Sequence, residues 1–275
     1  MRINKTQATA IAVLCSFSAG AHAQQDSNVH PFISSTYGIH AGVFFPSKDF
    51  RLSVNGSVVG TDQDFDFEKA TGASKDDEIF AIEFKWRFGE KWSVELQHFT
   101  ADQSTKAVLE EDITWRDQAI LAGSSVIVGT NFYMTRAFFG RSFDWRDNVD
   151  AGIGLGVHWL EIGAFIEPDI MTTFGDVSAA KVAGPLPNIG AWYQYSPSPK
   201  WVIAGRVDWL EANVGIYKGG ILNVAAGVNY QMFKRVGFGV KYELLRLDLD
   251  IDDDKWQGST QLDYDGAFVY LSASW

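Results

Sequence analysis

Three of the five histidines, His40, His98 and His158, lie in segments where apolar and polar residues alternate. On a β-strand, side chains two residues apart share a face, so a histidine base would best serve a serine nucleophile from two positions away. The residues two positions further on are Gly42, Thr100 and Leu160. None of the three is a serine, so we interpret these histidines as hydrogen-bonded strand residues and expect no catalytic residue and no cofactor.

The next residues that could do chemistry are the carboxylates of an acidic run, Asp248-Leu-Asp-Ile-Asp-Asp-Asp254. Carboxylates at alternate positions are typical of the start of a calcium loop, but the sixth position is Asp253 rather than Gly and the twelfth is Ser259 rather than Glu. Asp248, Asp250 and Asp252 are therefore weak candidates for a metal site, and we expect none. We interpret this run, and the acidic segment 62–68, as solvated loops that keep the surface anionic.

Charged residues that recur on one face of the alternating segments form the largest group. They are Glu83, Lys85, Arg87, Glu95, Arg136, Arg206, Asp208, Lys241 and Glu243. Five are basic and four are acidic, and such near balance indicates paired charges that fill a narrow interior, because a selective pore usually carries an excess of one sign. We expect these residues to form a charge network.

The segment Ile79 to Phe88 shows what kind of element holds these charges. Its apolar residues, from Phe80 to Phe88, alternate with Ala81, Glu83, Lys85 and Arg87. A charged face is costly in an ordinary core, but it is accommodated in the lumen of a membrane barrel whose other face meets lipid. The same alternation recurs at 92–97, 149–159, 188–195, 201–209, 222–231 and 236–244.

The end of the chain has the same pattern and stops on an aromatic residue. Ala267, Val269, Leu271, Ala273 and Trp275 share one parity and form an apolar face. A soluble edge strand also alternates in this way, so the pattern is informative only together with the rest of the chain. We interpret these residues as the lipid face of the last strand of a membrane barrel.

The beginning of the chain predicts export. Arg2 and Lys5 precede a small-residue apolar run that ends in Ala21-His-Ala23, the form of a leader-peptidase site. The predicted domains are a signal peptide (1–23), a short periplasmic segment (24–36) and a barrel (37–275). The only cysteine, Cys15, lies within the signal, so the mature chain, beginning at Gln24, has no disulfide and no thiolate site.

Composition excludes one class of partner. The whole chain carries 23 basic and 34 acidic residues, a formal net charge of −11, and an acidic exported protein has no electrostatic basis for binding nucleic acid. Ten Trp, nine Tyr and 20 Phe are typical of strands with aromatic ends at membrane interfaces. No segment after the signal has 18 consecutive apolar residues, so a membrane crossing requires a closed β-barrel.

Short turns at 89–91, 144–148, 197–200 and 233–235 alternate with longer polar segments near 46–78, 102–125, 167–185 and 251–260. This asymmetry is typical of outer-membrane barrels, with tight periplasmic turns and long external loops. Four hairpins, a first strand at Tyr37 to Phe45 and a last at Ala267 to Trp275 predict an all-β, antiparallel, up-and-down transmembrane barrel of ten strands. A further pair at Phe50 to Val54 and Asp64 to Glu68 would give twelve, and eight is the lower alternative.

The signal, the alternating strands and the terminal Trp275 resemble those of small Gram-negative outer-membrane barrel proteins, the broad OmpA-like and OmpW-like group. Within that group, four stretches resemble a recurring set of uncharacterised proteobacterial proteins: Gly184-Pro-Leu-Pro-Asn-Ile-Gly190, Ser-Pro-Ser-Pro-Lys-Trp201, Val236-Gly-Phe-Gly-Val-Lys-Tyr242 and Tyr264-Asp-Gly266. The resemblance covers roughly residues 37 to 275. It implies location in the bacterial outer membrane and insertion by the outer-membrane assembly machinery, which recognises the last strand.

We therefore expect a non-enzymatic outer-membrane barrel with a largely plugged lumen and a structural or surface-interaction role. A narrow channel for small solutes is the first alternative and a lipid-modifying enzyme is the second. The expected partners are outer-membrane lipid and lipopolysaccharide, periplasmic chaperones and the assembly machinery, and we expect the protein to be a monomer.

Overall fold

A computed structural model describes residues 28–46, 51–58, 79–109, 113–115, 118–168, 178–214, 217–253 and 256–275. The predicted signal peptide, residues 24–27 and the possible strand at Asp64 to Glu68 lie outside these residues. In the described part of the chain no helix is long and apolar enough to cross a membrane. One short helix, α1 (Pro31–Ser34), precedes the strands.

Ten antiparallel strands form a closed ring, which confirms the predicted fold class and strand number. The first strand closes the ring. It pairs with the second ring strand, Ile79–Phe88, on one side and with the last strand on the other, where the pairing runs from Gly38–Ser274 to Pro46–Gly266. In chain order the ring strands are β1 (Tyr37–Pro46), β3 (Ile79–Phe88), β4 (Trp92–Val108), β7 (Ser125–Arg146), β8 (Val149–Pro168), β9 (Ser178–Ser198), β10 (Trp201–Val214), β11 (Tyr217–Gln231), β12 (Val236–Asp253) and β13 (Trp256–Ser274).

Three further strands lie outside the ring. β2 (Arg51–Val58) pairs with the far end of β13, and β5 (Ile113–Trp115) forms a separate hairpin with β6 (Gln118–Ile120). Residues 51–54 of the possible extra strand at 50–54 are part of β2, and Phe50 lies outside the described residues. It extends the sheet beyond the ring and does not enlarge the barrel.

The tight turns and both ends of the ring lie at one end of the barrel. Tyr37 and Trp275 exchange two backbone hydrogen bonds there, of 2.8 and 3.0 Å. Gly89 in the first turn has a φ of 60°, which a side chain would disfavour. Since tight turns face the periplasm in outer-membrane barrels, this is the periplasmic end.

Strands at the opposite, external end are longer than the sequence predicted. β4 continues to Val108, β9 begins at Ser178 and β12 continues to Asp253, so much of the predicted loops at 102–125, 167–185 and 251–260 is strand. The prediction was wrong there because a strand in water on its outer face need not alternate apolar with polar residues, and the alternation that revealed the other strands is lost.

Beyond the membrane level, the described strands form two sets that do not pair with each other. The β9–β10 ladder ends at Ile189–Trp209 and the β3–β4 ladder ends at Ala81–Phe99. Among the residues that the structure describes there, one sheet consists of β4, β7, β8 and β9, and the other of β10 to β13 with β2. Pro185 and Pro187 lie on the edge of β9 that has lost β10, where a residue without an N–H is tolerated. We call these two sheets the external extension.

An apolar belt surrounds the ring. Leu155 is 65% exposed, Leu271 55% and Ile203 52%, although all three are large apolar residues. Trp201 and Trp209 lie on the outer face of β10 eight residues apart, which corresponds to roughly 20 Å of height for a strand tilted by about 40°. The belt and its aromatic edges are those of a transmembrane barrel and support the predicted outer-membrane location.

Replacing Leu271 by Arg will test the position of this belt. The guanidinium would face lipid near mid-height of the apolar belt, four residues before Trp275, and we expect the free energy of unfolding to fall by about 2–4 kcal/mol, as for a basic residue at the bilayer midplane. Glu211→Arg is the control, because Glu211 is exposed on β10 beyond Trp209. Unfolding of the refolded barrel in urea and lipid vesicles measures both; equal effects of the two changes would contradict the belt.

Candidate functional site

The nine charged residues predicted to form a network all point into the lumen, and the structure adds a tenth, Asp150. Asp150 lies on the inward face of β8, is 5% exposed, and was passed over because glycines surround it on that face. Its inward parity was the signal that would have identified it. With Asp150 the set contains five cations and five carboxylates.

The centre of the network is a pair of arginines that share two carboxylates. Arg206 forms a forked pair with Asp208, at 2.8 and 2.9 Å, and its third nitrogen donates to Glu95 at 2.5 Å. Arg136 Nε lies 3.1 Å from the same Asp208 carboxylate. Asp208 is fully buried, so two guanidiniums depend on one desolvated carboxylate.

Glycines explain how this centre fits inside the ring. The guanidiniums of Arg206 and Arg136 lie over the ring of Phe138, at 4.0 and 4.9 Å. A Cβ at Gly154 or Gly156 would come within 2.7 or 2.8 Å of that ring. A Cβ at Gly190 would overlap the Asp208 carboxylate. The inward glycines predicted from the alternation of β8 and β9 therefore provide the space for the network.

A second group lies toward the periplasmic end and has two cations for one carboxylate. Arg87 donates to Asp150 at 2.6 Å, whereas Lys85 is 3.3 Å from Asp150 and 3.4 Å from Gln194. Ser142 also donates to Asp150, at 2.7 Å. Lys85 therefore makes only long hydrogen bonds.

A third group has the opposite imbalance. Lys241 pairs with both Glu83 and Glu243, the latter at 2.9 Å. Glu83 also contacts His40 Nδ1 at 3.0 Å. Glu243 accepts from the amides of Gln97 and Asn223, at 3.3 and 3.2 Å.

An apolar layer that the sequence analysis missed lies in the lumen, mostly on the external side of the charges. Each member of this layer is at most 7% exposed. The layer consists of Phe44, Ile79, Ala81, Phe99, Ala101, Phe132, Met134, Leu160, Ile221, Leu245, Leu247, Tyr264, Phe268 and Tyr270. Lys241 lies 5.0 Å from the ring centre of Phe268, so the layer rests directly on the network. These residues have inward parity, but an apolar inward residue on a strand with an apolar outer face gives no alternation to detect.

The N-terminal segment covers the periplasmic side. The ring of Phe32 stacks on His40 with centroids 4.8 Å apart, and the His30 N–H donates to Ser196 Oγ at 3.0 Å. His30 caps α1, because its Nδ1 accepts from the Phe32 N–H at 3.1 Å. Burial, and to a lesser degree the charge of His40, lowers the pKa of His30 from 6.5 to about 4.

A cavity of about 110 Å³ lies between this segment and the apolar layer. Lys85, Glu95 and Gln97 line one side, and Ala204, Ala225 and Gly227 line the other. Phe32 and His40 line it from the periplasmic side.

The remaining candidate residues lie elsewhere. His158 is fully buried in the lumen, and His98 faces outward and hydrogen-bonds Thr135 at 2.9 Å. Asp248 and Asp250 lie on strand β12 rather than in a calcium-type loop, and Lys218 is the partner of Asp250 across the β11–β12 ladder. Among the described residues no three His, Cys, Asp or Glu side chains are grouped to hold a metal ion.

Comparison with known proteins yields fold likeness only. No protein-family model matches the chain, and no curated protein does. Among solved structures, the attachment invasion locus protein Ail of Yersinia pestis, in complex with sucrose octasulfate, is 13% identical over 85% of this chain and 97% of its own, with a TM-score of 0.30. The Ralstonia pickettii toluene transporter TbuX is 10% identical over 88% and 74%, with a TM-score of 0.39. The outer membrane protein OprG of Pseudomonas aeruginosa is 12% identical over 88% and 96%, with a TM-score of 0.35.

Removing Asp208 will test whether the network holds the barrel together. Asp208→Ala leaves Arg136 and Arg206 buried with only Glu95, and we expect a loss of about 3–5 kcal/mol in the free energy of unfolding. Arg246→Ala is the matched control: its partner Asp263 is 3.9 Å away and both side chains are largely exposed, so the loss should stay within about 1 kcal/mol. Urea unfolding measures both, and similar losses would contradict a stabilising network.

The docking of the N-terminal segment is expected to depend on pH. Because the pKa of His30 is lower in the docked state than in the released state, docking is strongest above pH 6.5 and weakens as the pH falls toward 4, by about 1–3 kcal/mol. Hydrogen exchange of the His30, Ile33 and Ser35 amides should therefore accelerate over this range. His30→Asn keeps a capping side chain without a titrating group and should remove the pH dependence; an unchanged dependence would contradict the role of His30.

Proposed function

We propose that this chain is a non-enzymatic outer-membrane protein whose barrel is closed to ions and which acts at the cell surface through its external extension. The observation that carries the proposal is the pair of consecutive layers across the lumen. A balanced charge network is followed by an apolar layer whose members are almost fully buried. Ions crossing such a barrel would have to break buried ion pairs and then pass a dry apolar layer.

Strand length supports a surface role. On β8, Trp159 marks the outer edge of the belt, and its partner on β7 is Thr135. β7 begins ten residues before Thr135, at Ser125, so roughly 25 Å of the sheet rises beyond the membrane. A rigid base that carries a large external sheet is suited to contact with the cell's surroundings or with the lipopolysaccharide layer.

Exposed apolar side chains are found on the outer faces of all ten ring strands, including Phe45, Leu155 and Leu271. A belt that continues around the ring favours a monomer surrounded by lipid, since a protein interface would interrupt it. The last strand, with Leu271 and Val269 on its outer face, is proposed to be the part that the assembly machinery engages.

One observation favours a second function, the passage of a small apolar solute. The wall opens between β9 and β10 beyond Ile189–Trp209, and Leu186 and Leu210 pack there against the apolar layer. An apolar molecule from the outer leaflet would reach the layer at this position without meeting the charges.

Planar-bilayer recording of the refolded protein tests the primary proposal. We expect no steady conductance from the wild-type barrel in neutral salt, because both layers oppose ions. Phe99→Gly combined with Phe132→Gly is the comparison variant, since it removes two rings from the apolar layer and should raise the frequency of transient openings. Steady, ion-selective channels in the wild type would overturn the closed barrel and favour a channel instead.

A further inference from the structure

We infer that the lumen cavity is a binding site for a small zwitterion, a molecule that carries one ammonium and one carboxylate group a few atoms apart. The inference goes beyond the proposed function, because a closed barrel needs no ligand. It depends on how the ten lumen charges are divided among their groups.

The network as a whole has equal numbers of cations and carboxylates, but two of its three groups do not. Lys85, Arg87 and Asp150 sum to +1. Arg136, Arg206, Glu95 and Asp208 sum to 0. Glu83, Glu243 and Lys241 provide two carboxylates for one lysine, with His40 Nδ1 3.0 Å from Glu83. The lumen therefore has a cationic group and an anionic group with a neutral group beside them.

The cavity lies between the two unbalanced groups. Lys85 from the cationic group lines it, as do Glu83 and Glu243 from the anionic group. A solute with one charge would satisfy one group and leave the other unchanged. A zwitterion would place its carboxylate toward Lys85 and its ammonium toward the two glutamates, and so would complete both groups at once.

Lys85 has hydrogen-bonding capacity for such a carboxylate. Its hydrogen bonds to Asp150 and Gln194 are 3.3 and 3.4 Å long, and Arg87 holds Asp150 more closely, at 2.6 Å. An ammonium group has three donors, and a carboxylate at normal hydrogen-bond distance would improve on both long contacts.

Small residues line the cavity and leave it unfilled. Most inward glycines of the ring have atoms within 3 Å of where a Cβ would be, but at Gly38 the nearest atom is the Lys85 Cβ, at 3.9 Å. Ala204, Ala225 and Gly227 form the opposite wall. The cavity volume of about 110 Å³ exceeds the space that a single ordered water needs and suits a solute of a few heavy atoms, such as glycine or alanine.

The test uses saturation-transfer NMR titrations of the refolded full-length mature barrel with glycine and L-alanine. We expect saturable binding of both. Acetate and methylammonium, which carry only one charge each, should bind at least tenfold more weakly. No saturable binding of glycine or alanine, or equal binding of acetate, would overturn the inference.

Two variants locate the site. Gly38→Leu fills the cavity without removing a charge and should weaken glycine binding at least tenfold, whereas Ala41→Leu, on the outer face of the same strand, should leave it unchanged. Lys85→Met removes the cationic end but leaves Arg87 paired with Asp150, so the barrel should still fold and show heat-modifiable migration while binding is lost. Glycine binding retained in Gly38→Leu or Lys85→Met would overturn the assignment. The NMR titration measures binding without a membrane potential, whereas conductance tests the closed-barrel proposal. A negative result for the zwitterion site is therefore distinguishable from a negative result for the closed barrel.

Discussion

Closure of the hydrogen-bonded ring is the constraint on which the rest of this structure depends. A strand edge exposed to lipid would leave backbone N–H and C=O groups without partners, at several kcal/mol each. β1 is only ten residues long, yet it pairs with β3 on one side and β13 on the other throughout most of its length. The pairing of Tyr37 with Trp275 fixes the start of the first ring strand to the end of the last one at the periplasmic end. A ring of ten strands is little wider than one that side chains fill, and so the number of strands determines how much room the lumen offers.

That limited space explains why the charges are paired and why the apolar layer lies beside them. Removing two charges from water often costs more free energy than their mutual attraction returns. Forked geometry and additional hydrogen bonds offset this cost. Arg206 has both, through Asp208 and Glu95. The apolar layer excludes water from one side of the network, which strengthens each ion pair and makes an unpaired member more costly. The two layers therefore stabilise each other only when the network is complete.

The sequence was sufficient for the fold class, the strand number and the inward face, because one side of each strand meets lipid and the resulting alternation is strong. Ile79–Phe88 was predicted with the bounds that the structure has. Alternation failed for features of a different origin. The external parts of β4 and β9 lie in water, and the apolar layer is apolar on both faces, so neither alternates. Asp150 was overlooked although it has the correct parity, because a single carboxylate among glycines looks like part of a small-residue face. Which charges pair with which depends on ring closure, which brings Glu83 and Lys241 together across 158 residues.

Ring closure also determines at which inward glycines a neighbouring residue occupies the volume of the missing side chain. Gly190 and Gly38 both point inward, and their sequence contexts do not distinguish them. Gly190 lies opposite Asp208 in the β9–β10 ladder, and its missing side chain is replaced by that carboxylate. Gly38 lies opposite Lys85 in the β1–β3 ladder, and the flexible lysine extends toward Asp150 and Gln194 instead of covering it. Because Arg87 already holds Asp150 tightly, Lys85 is left with long hydrogen bonds only. The structure therefore combines, at one place, open volume and an incompletely satisfied charge, whereas a barrel selected only to be filled would need neither.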